Sequence, residues 1–524
     1  MNKIFRLIYS NKFFAFAMLA IQVMIFAFSF NLFGGGFGID WKLIQLIFTI
    51  LSIGVIIYEV NRSTEPTFKI TWLLIILVIP VFGITLYIFT RINFHTHLLQ
   101  KRYEQVRRIT GINLLKDEEV YNELEQTNPG DLGIITYLEN CSGSPVYKNT
   151  DVKYFSIGED MLEDMKTELQ NAKKFIFMEY FIINAYMNNT QNPHIWEEIL
   201  EILKQKVKED VEVRLLYDGM GCLTTLPKDY DKLLGELGIK CKIFSPIIPL
   251  ISTHQNNRDH RKICVIDGRV AYTGGINLAD EYANRIVRFG HWKDTGVKLV
   301  GEAVGGFCAL FLEMWNLQLE EDSDEEIRKY IIYSRRYKEE DAQGYVVPFG
   351  DTPIDDDDVG KRVYIDILDN AKEYVHITTP YLVIDYEIYE AMKYATRRGV
   401  EVSVVMPHIP DKKYAFYLSR TYYPELLRAG VKIYEYESGF VHAKMSVGDG
   451  KKAMVGTVNH DFRSLYLHYE CGALMIDVPA ISDIESDFQN MVENSVKVTY
   501  DFYKSLPWYQ RLYGQAIKLV APLL

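Results

Sequence analysis

The sequence predicts an α/β protein with two lobes of similar plan and central, mostly parallel sheets, preceded by N-terminal transmembrane helices. Three observations predict it. Uncharged apolar segments crowd the first ninety residues. The remainder carries a loose internal repeat of strand, helix and strand. Each copy of that repeat closes on the same chemistry-bearing residues at the same spacing.

The apolar segments are residues 13–33, 43–58 and 70–90. A membrane span takes roughly 20 apolar residues. The first and third reach that length, and the middle one reaches it with modest thinning or snorkelling of Lys42. Residues 1–92 therefore read as membrane helices of a multi-pass protein. Residues 93–130 read as a juxtamembrane linker whose cluster Lys101, Arg102, Arg107 and Arg108 suits anionic headgroups.

From residue 131 onward the repeat takes over. KKFIFMEYFII (173–183) parallels EYVHITTPYLV (373–383), VEVRLLYDG (211–219) parallels VEVSVVMPH (400–408), and GIKCKIFSP (238–246) parallels GVKIYEYES (430–438). These are β-branched or aromatic runs bounded by turn residues, so they read as strands. Helix-like stretches such as 195–208 and 386–399 lie between the first and second strands, which implies βαβ units. The lobes span 131–317 and 344–502, joined by a charged segment, 318–343, that reads as an exposed linker or a helical insertion, and followed by a tail, 503–524.

The net charge of −12 excludes a general nucleic-acid binder. None of the cysteines forms a CxxC pair, so no disulfide framework or zinc site is expected. No GxxxxGK[ST] loop and no metal-ligand spacing is found, and no cofactor or metal is expected.

The chemistry lies in the two closing sets. The first is His260, Lys262, Asp267, Gly274, Gly275 and Asn277; the second is His442, Lys444, Asp449, Gly456, Thr457 and Asn459. Residues two apart on a strand share a face, so each histidine and lysine point into one cleft. Asp-Gly follows in both copies and signals a hairpin, so Asp267 and Asp449 serve either the turn or the reaction. The returning strand brings Asn277 and Asn459 back to the cleft. Lysine and asparagine suit phosphate, and one histidine as nucleophile with the other as general acid suits phosphodiester exchange. Each histidine needs an orienting carboxylate, and the downstream candidates are Asp294 in HWKDT and Glu470 in LHYE.

The pattern H-x-K-x4-D-x6-G-[GST]-x-N, present twice, resembles the phospholipase D superfamily and, more narrowly, bacterial cardiolipin synthases. RDHRKICVIDGRVAYTGGINLADEY, HWKDTGV, ITTPYLV, RTYYPELLRAGVKIYEYESGFVHAKMSV and GTVNHDFRSLYLHYE carry the likeness, with the apolar N-terminus and the ending APLL. Asp259 departs from the Asn that the family often places before the first histidine, and Gly275 stands where many members have Ser. The resemblance implies a cell-membrane enzyme that moves a phosphatidyl group from one phosphatidylglycerol to another, giving cardiolipin and glycerol through a phosphohistidine. It implies His260, Lys262, Asp267, His442, Lys444 and Asp449 as catalytic, Asn277 and Asn459 as phosphate-binding, and Asp294 and Glu470 as histidine-orienting. By the same resemblance His260 is the nucleophile and His442 the general acid and then base. The flanking Arg258 and Arg261 would help keep His260 neutral. A hydrolytic phospholipase D, or a transferase using another acceptor alcohol, is the alternative.

Overall fold

The computed structural model describes residues 41–91, 94–114, 116–185, 194–245, 257–317, 322–355 and 357–523. The chain divides into two compact units. One comprises Leu98–Pro246 and Asn257–Lys518; the other comprises Met1–His97, Ile247–Asn256 and Leu519–Leu524.

In the smaller unit the described helices are Trp41–Val60, Pro66–Val78 and Pro80–Arg91. Trp72, Ile76, Ile84 and Tyr87 form its small core, and the Tyr87 hydroxyl donates to the buried carboxylate of Glu59 at 2.6 Å. Among the described residues no helix is long and apolar enough to cross a membrane. The described residues thus give no support to spans at 43–58 or 70–90. The second of these breaks at Ile79, because Pro80 lacks the N–H that would continue the helix. It yields helices of 13 and 12 residues. The predicted span 13–33 lies outside the described residues.

The larger unit holds every strand among the described residues. In chain order these are β1 (Thr150–Phe155), β2 (Phe175–Tyr180), β3 (Glu212–Asp218), β4 (Lys240–Phe244), β5 (Arg258–Asp259), β6 (Lys262–Ile266), β7 (Val270–Gly274), β8 (His291–Lys293) and β9 (Gly296–Gly301). They continue as β10 (Tyr345–Asp351), β11 (Tyr374–Thr378), β12 (Glu401–Pro407), β13 (Lys432–Tyr436), β14 (Gly439–Val441), β15 (Met445–Gly448), β16 (Lys452–Gly456), β17 (His468–Ile476) and β18 (Ser495–Val498). One sheet has the order β1-β9-β7-β6-β2-β3-β4, and the other β10-β17-β16-β15-β11-β12-β13-β18.

Both sheets are mixed rather than mostly parallel. Along those two paths only β2–β3, β3–β4, β11–β12 and β12–β13 run parallel. These are the βαβ steps; the helices Ile195–Lys208 and Tyr386–Arg397 cross the first of each pair, and Tyr230–Glu236 and Tyr423–Ala429 are among those that cross the second. The other pairings are antiparallel, because each Asp-Gly turn folds β6 onto β7 and β15 onto β16. One core serves both sheets. The helix Val304–Asn316 is buried along its whole length, and its Phe307 and Phe311 share a cluster with Ile263 and Val265 of β6 and Val447 and Val455 of the second sheet.

Segment 318–343 takes the second of its two expected forms, a helical insertion, and the basic stretch expected as a linker is packed in part. Within 318–343 the helix Asp324–Ser334 begins with a Ser323–Glu326 capping box and buries Ile327, Tyr330 and Ile331. Its Tyr330 hydroxyl and Asp322 receive the buried guanidinium of Arg214. In the basic stretch, Arg102 donates to the carbonyl of Asn316 and Arg107 to that of Asn140, so these two charges face protein.

Asp267 and Asp449 belong to the turns. Both adopt positive φ, 53° and 54°. The Asp267 carboxylate accepts from the backbone N–H groups of Lys173, Lys174 and Phe175, and Asp449 accepts likewise from Lys372, Glu373 and Tyr374. Each aspartate therefore ties its hairpin to the start of the neighbouring central strand, at the end of the hairpin strand away from the histidine. Their expected place in the reaction gives way to this one. Asp267→Ala should cost about 2 kcal/mol of stability, since it strands one buried and two part-buried donors and leaves a β-carbon at positive φ. Asp449→Ala should cost less, because two of its donors are exposed. Urea unfolding of both variants measures the difference.

Candidate active site

Two short parallel pairings cross between the sheets and set the site. β5 lies beside β17, with Asp259 opposite Tyr469, and the next residue, His260, donates its N–H to the Tyr469 carbonyl at 2.9 Å. β14 lies beside β8, with Val441 opposite Lys293, and His442 donates its N–H to the Lys293 carbonyl at 2.7 Å. In each case the residue after that carbonyl is a carboxylate of the opposite repeat.

The orienting pairs are accordingly crossed. His260 Nδ1 lies 3.0 Å from both carboxylate oxygens of Glu470, and His442 Nδ1 lies 2.7 Å from Asp294 Oδ2. The sequence offers both carboxylates, each downstream of its own motif; the fold exchanges them. Ser464 steadies Glu470 by donating to Oε1 at 2.6 Å, and the Thr295 N–H steadies Asp294 at 2.9 Å. Nothing in the sequence pattern marks Ser464, because its role appears only once Glu470 is placed.

Gly275 has a steric reason. A β-carbon there would stand 2.0 Å from Asp294 Oδ1. The missing side chain is the space that Asp294 uses to reach His442. Gly275→Ala should displace that carboxylate and lower turnover roughly 10²-fold, as ångström-scale misplacement does. Steady-state kinetics beside an unchanged circular dichroism spectrum would show it.

Both histidines are buried, with 7% and 8% of their surfaces exposed. Aromatic rings wall them in: Phe181 against His260, and Tyr282, Trp292 and Phe440 around His442. Lys262 Nζ donates to the His260 carbonyl and Lys444 Nζ to the His442 carbonyl; Lys444 Nζ also stands 2.8 Å from His442 Nδ1. Each lysine thus turns back toward its own histidine.

The electrostatics follow from burying several cations together. Burial, with Lys262 and Lys444, holds His260 well below the ordinary imidazole range. Burial and Lys444 bring His442 down to about 4, against the opposing pull of Asp294. Burial lowers Lys262 to about 8 and Lys444 to about 7. A phosphate anion entering the cleft would favour every one of these protonated forms. Arg258 and Arg261 do not supply the expected field. Arg261 turns away to the carbonyls of Glu470, Leu310 and Asp351, and Arg258 faces the Ser245 carbonyl and Asp218. Burial, with the two lysines, keeps His260 neutral instead. Asp259 lies buried against Glu179, and burial raises Asp259 to about 7 and Glu179 well above its usual range.

The two asparagines differ. Asn277 is engaged at both ends: Oδ1 accepts from the Ile182 N–H at 3.0 Å, and Nδ2 donates to the Tyr282 hydroxyl at 2.8 Å. It braces the loop after β2, and its Nδ2 keeps a second N–H beyond the one given to Tyr282. Asn459 is buried with Oδ1 lacking a hydrogen-bond partner. Among the described residues, the grouping with metal-ligating character is His260, His468 and Glu470, with candidate atoms within 4.8 Å of one another. It belongs to this same histidine network.

A duplicated hairpin carrying histidine and lysine, with carboxylates exchanged between repeats, defines a phospholipase D-like scaffold. The family model "Cardiolipin synthase, PLD-like domain" matches residues 165–286 and 364–492, and "Phospholipase_D-nuclease N-terminal" matches 47–91. The chain belongs to the cardiolipin synthase family, phosphatidyltransferases of the phospholipase D superfamily. It is 32% identical over 493 residues to the cardiolipin synthase of Halalkalibacterium halodurans, covering 92% of this chain and 93% of that one. It is 46% identical over 472 residues to a Streptococcus mutans serotype c protein bearing the name "Uncharacterized protein", covering 90% of this chain and 100% of that one. Its fold is also similar to that of a solved phosphatidylserine synthase of Haemophilus influenzae Rd KW20, with a TM-score of 0.56 at 15% identity, covering 75% of this chain and 100% of that one.

Proposed function

We propose that the protein makes cardiolipin from two molecules of phosphatidylglycerol, releasing glycerol, through a phosphatidyl-histidine on His260. The observation that carries this reading is the pair of buried histidines, each held at Nδ1 by a carboxylate of the opposite repeat. With Nδ1 engaged, Nε2 of each ring is left to act in the cleft.

In the first step Nε2 of His260 attacks the phosphorus of one phosphatidylglycerol. The bond from phosphorus to the glycerol headgroup oxygen breaks, and His442 gives that oxygen its proton. In the second step His442, now neutral, takes the proton from a headgroup hydroxyl of a second phosphatidylglycerol. That oxygen attacks phosphorus, the phosphorus–nitrogen bond breaks, and His260 is restored. Lys262, Lys444 and Asn459 are assigned to the phosphoryl oxygens, where charge builds up. One phosphodiester replaces another, so no nucleotide is consumed. The division of roles follows the resemblance to the phospholipase D superfamily, and the Asp294 contact, which opposes the lowering of His442, is consistent with it. Both lipids reside in a bilayer, so the reading places the reaction at the cell membrane. The aromatic walls around the histidines favour transfer over hydrolysis by limiting water.

The test is a lipid chromatogram. Purified full-length protein given phosphatidylglycerol vesicles alone, without CTP or added divalent metal, should yield cardiolipin and glycerol. Phosphatidic acid as the main product would make it a hydrolase. A strict need for a CDP-linked lipid would sink the mechanism.

A further inference from the structure

The helix Trp508–Lys518 is inside out. Its exposed face is formed by Trp508, Tyr509, Leu512 and Tyr513, which are 68%, 57%, 61% and 50% exposed. Residues 508, 509, 512, 513 and 516 fall on one side of a helical wheel, so Ala516 joins the same stripe. The polar Gln510, Arg511 and Lys518 are only partly exposed, and the exposed polar residue of the helix, Gln515, lies at the edge of the stripe. This is the reverse of an ordinary surface helix, which turns its apolar stripe to the core.

The opposite side is firmly docked. A β-carbon at Gly514 would lie 2.5 Å from the Tyr417 carbonyl, so the helix rests directly on the backbone of the helix Lys413–Arg420. Lys518 Nζ sits over the Tyr422 ring at 4.1 Å, and Tyr513, at the edge of the exposed face, meets Tyr417 edge to face at 6.0 Å. The apolar face is therefore held outward by the fold. The supporting helix begins beside the cleft: Asp411 accepts from the Tyr381 hydroxyl at 2.6 Å, and the Lys412 charge acts on His260.

We propose that this face docks the protein on a bilayer rich in anionic phospholipid, beside the mouth of the site. The proposal rests on the reading of the chain as an enzyme acting on phosphatidylglycerol. Two features select lipid as the occupant. Trp and Tyr with Leu is the composition that settles at the headgroup boundary, where an aromatic ring has an apolar body and a polar tip. The charge also fits: residues 500–518 carry Lys504 and Arg511 against the single acid Asp501, Lys518 being held on the docked side near Glu425, within a chain of net charge −12. A basic, aromatic strip on an acidic protein matches an anionic surface.

The experiment places the photoreactive residue p-benzoylphenylalanine at position 509 or 512 of the full chain, with position 394 as control. Tyr394 is 57% exposed on another helix, Tyr386–Arg397. Each protein is irradiated with phosphatidylglycerol vesicles or with phosphatidylcholine vesicles. Lipid adducts at 509 and 512, roughly tenfold above the 394 control and weaker with phosphatidylcholine, are expected for an interfacial helix. Adducts to a second copy or to another part of the same chain would overturn the proposal, as would equal lipid labelling at 394. A Trp508→Ser/Leu512→Ser variant gives a second readout. Its turnover should fall about tenfold on vesicles and hold steady on phosphatidylglycerol dispersed in detergent. Equal loss in both would mean the face supports the fold, and the proposal would fail. The crosslinking arm needs no turnover, so it decides the docking surface even if the wild-type protein makes no cardiolipin.

Discussion

His260→Ala and His442→Ala are each expected to remove nearly all turnover while leaving the protein folded. Loss of a positioned general acid–base costs roughly 10²–10⁴-fold, and loss of the nucleophile removes the covalent route altogether. Folding should survive because each histidine stands at a strand end facing the cleft, and its backbone N–H, which joins the crossing strands, is untouched. The two variants should fail differently. Rapid quenching of His442→Ala with labelled lipid, followed by peptide mapping, should find label on the peptide containing His260. His260→Ala should carry no label at position 442. Label on His442 in that variant, with none in the first, would reverse the roles.

The second large effect comes from the carboxylates, and its signature is the crossing. Glu470→Ala should behave like His260→Ala although it lies 210 positions away, and Asp294→Ala should behave like His442→Ala across 148 positions. Each loss frees the ring to rotate and removes the negative partner that stabilises imidazolium, an effect of about 10²–10⁴-fold in comparable triads. Double variants settle the wiring. His260→Ala combined with Glu470→Ala should be little worse than either alone, since groups acting as a unit are not additive. Combining Glu470→Ala with Asp294→Ala should be markedly worse than either. If additivity instead grouped Glu470 with His442, the exchanged contacts would have no bearing on catalysis.

Much of this was readable from the chain. Strand alternation, the Asp-Gly turns and the identical spacing from His260 to Asn277 and from His442 to Asn459 are local or periodic, so they leave a trace in sequence. The same Asp-Gly signal predicts antiparallel strands, and it outweighs the βαβ steps in setting the character of both sheets. What was not readable is tertiary. Spacing lists Asp294 and Glu470 but cannot say which histidine each will face, because that depends on β5 and β14 crossing to the other repeat. Asn277 has the same sequence position as Asn459, yet Tyr282 and the Ile182 amide claim it. Arg261 sits beside His260 in sequence and points the other way in space, as neighbouring strand residues do. The run 70–90 counts as apolar enough for a span, but Pro80 decides its shape.

The exchange of strands also sets a clock for biosynthesis. Domains fold broadly from the N-terminus as the chain emerges. His260 can be in place on its hairpin long before the ribosome reaches Glu470. Until β17 is made, the first histidine has neither its orienting carboxylate nor the Tyr469 carbonyl that fixes its backbone. On the proposed mechanism, a half-made chain would lack an oriented nucleophile, and His260 would become competent only once nearly the whole protein had been synthesised.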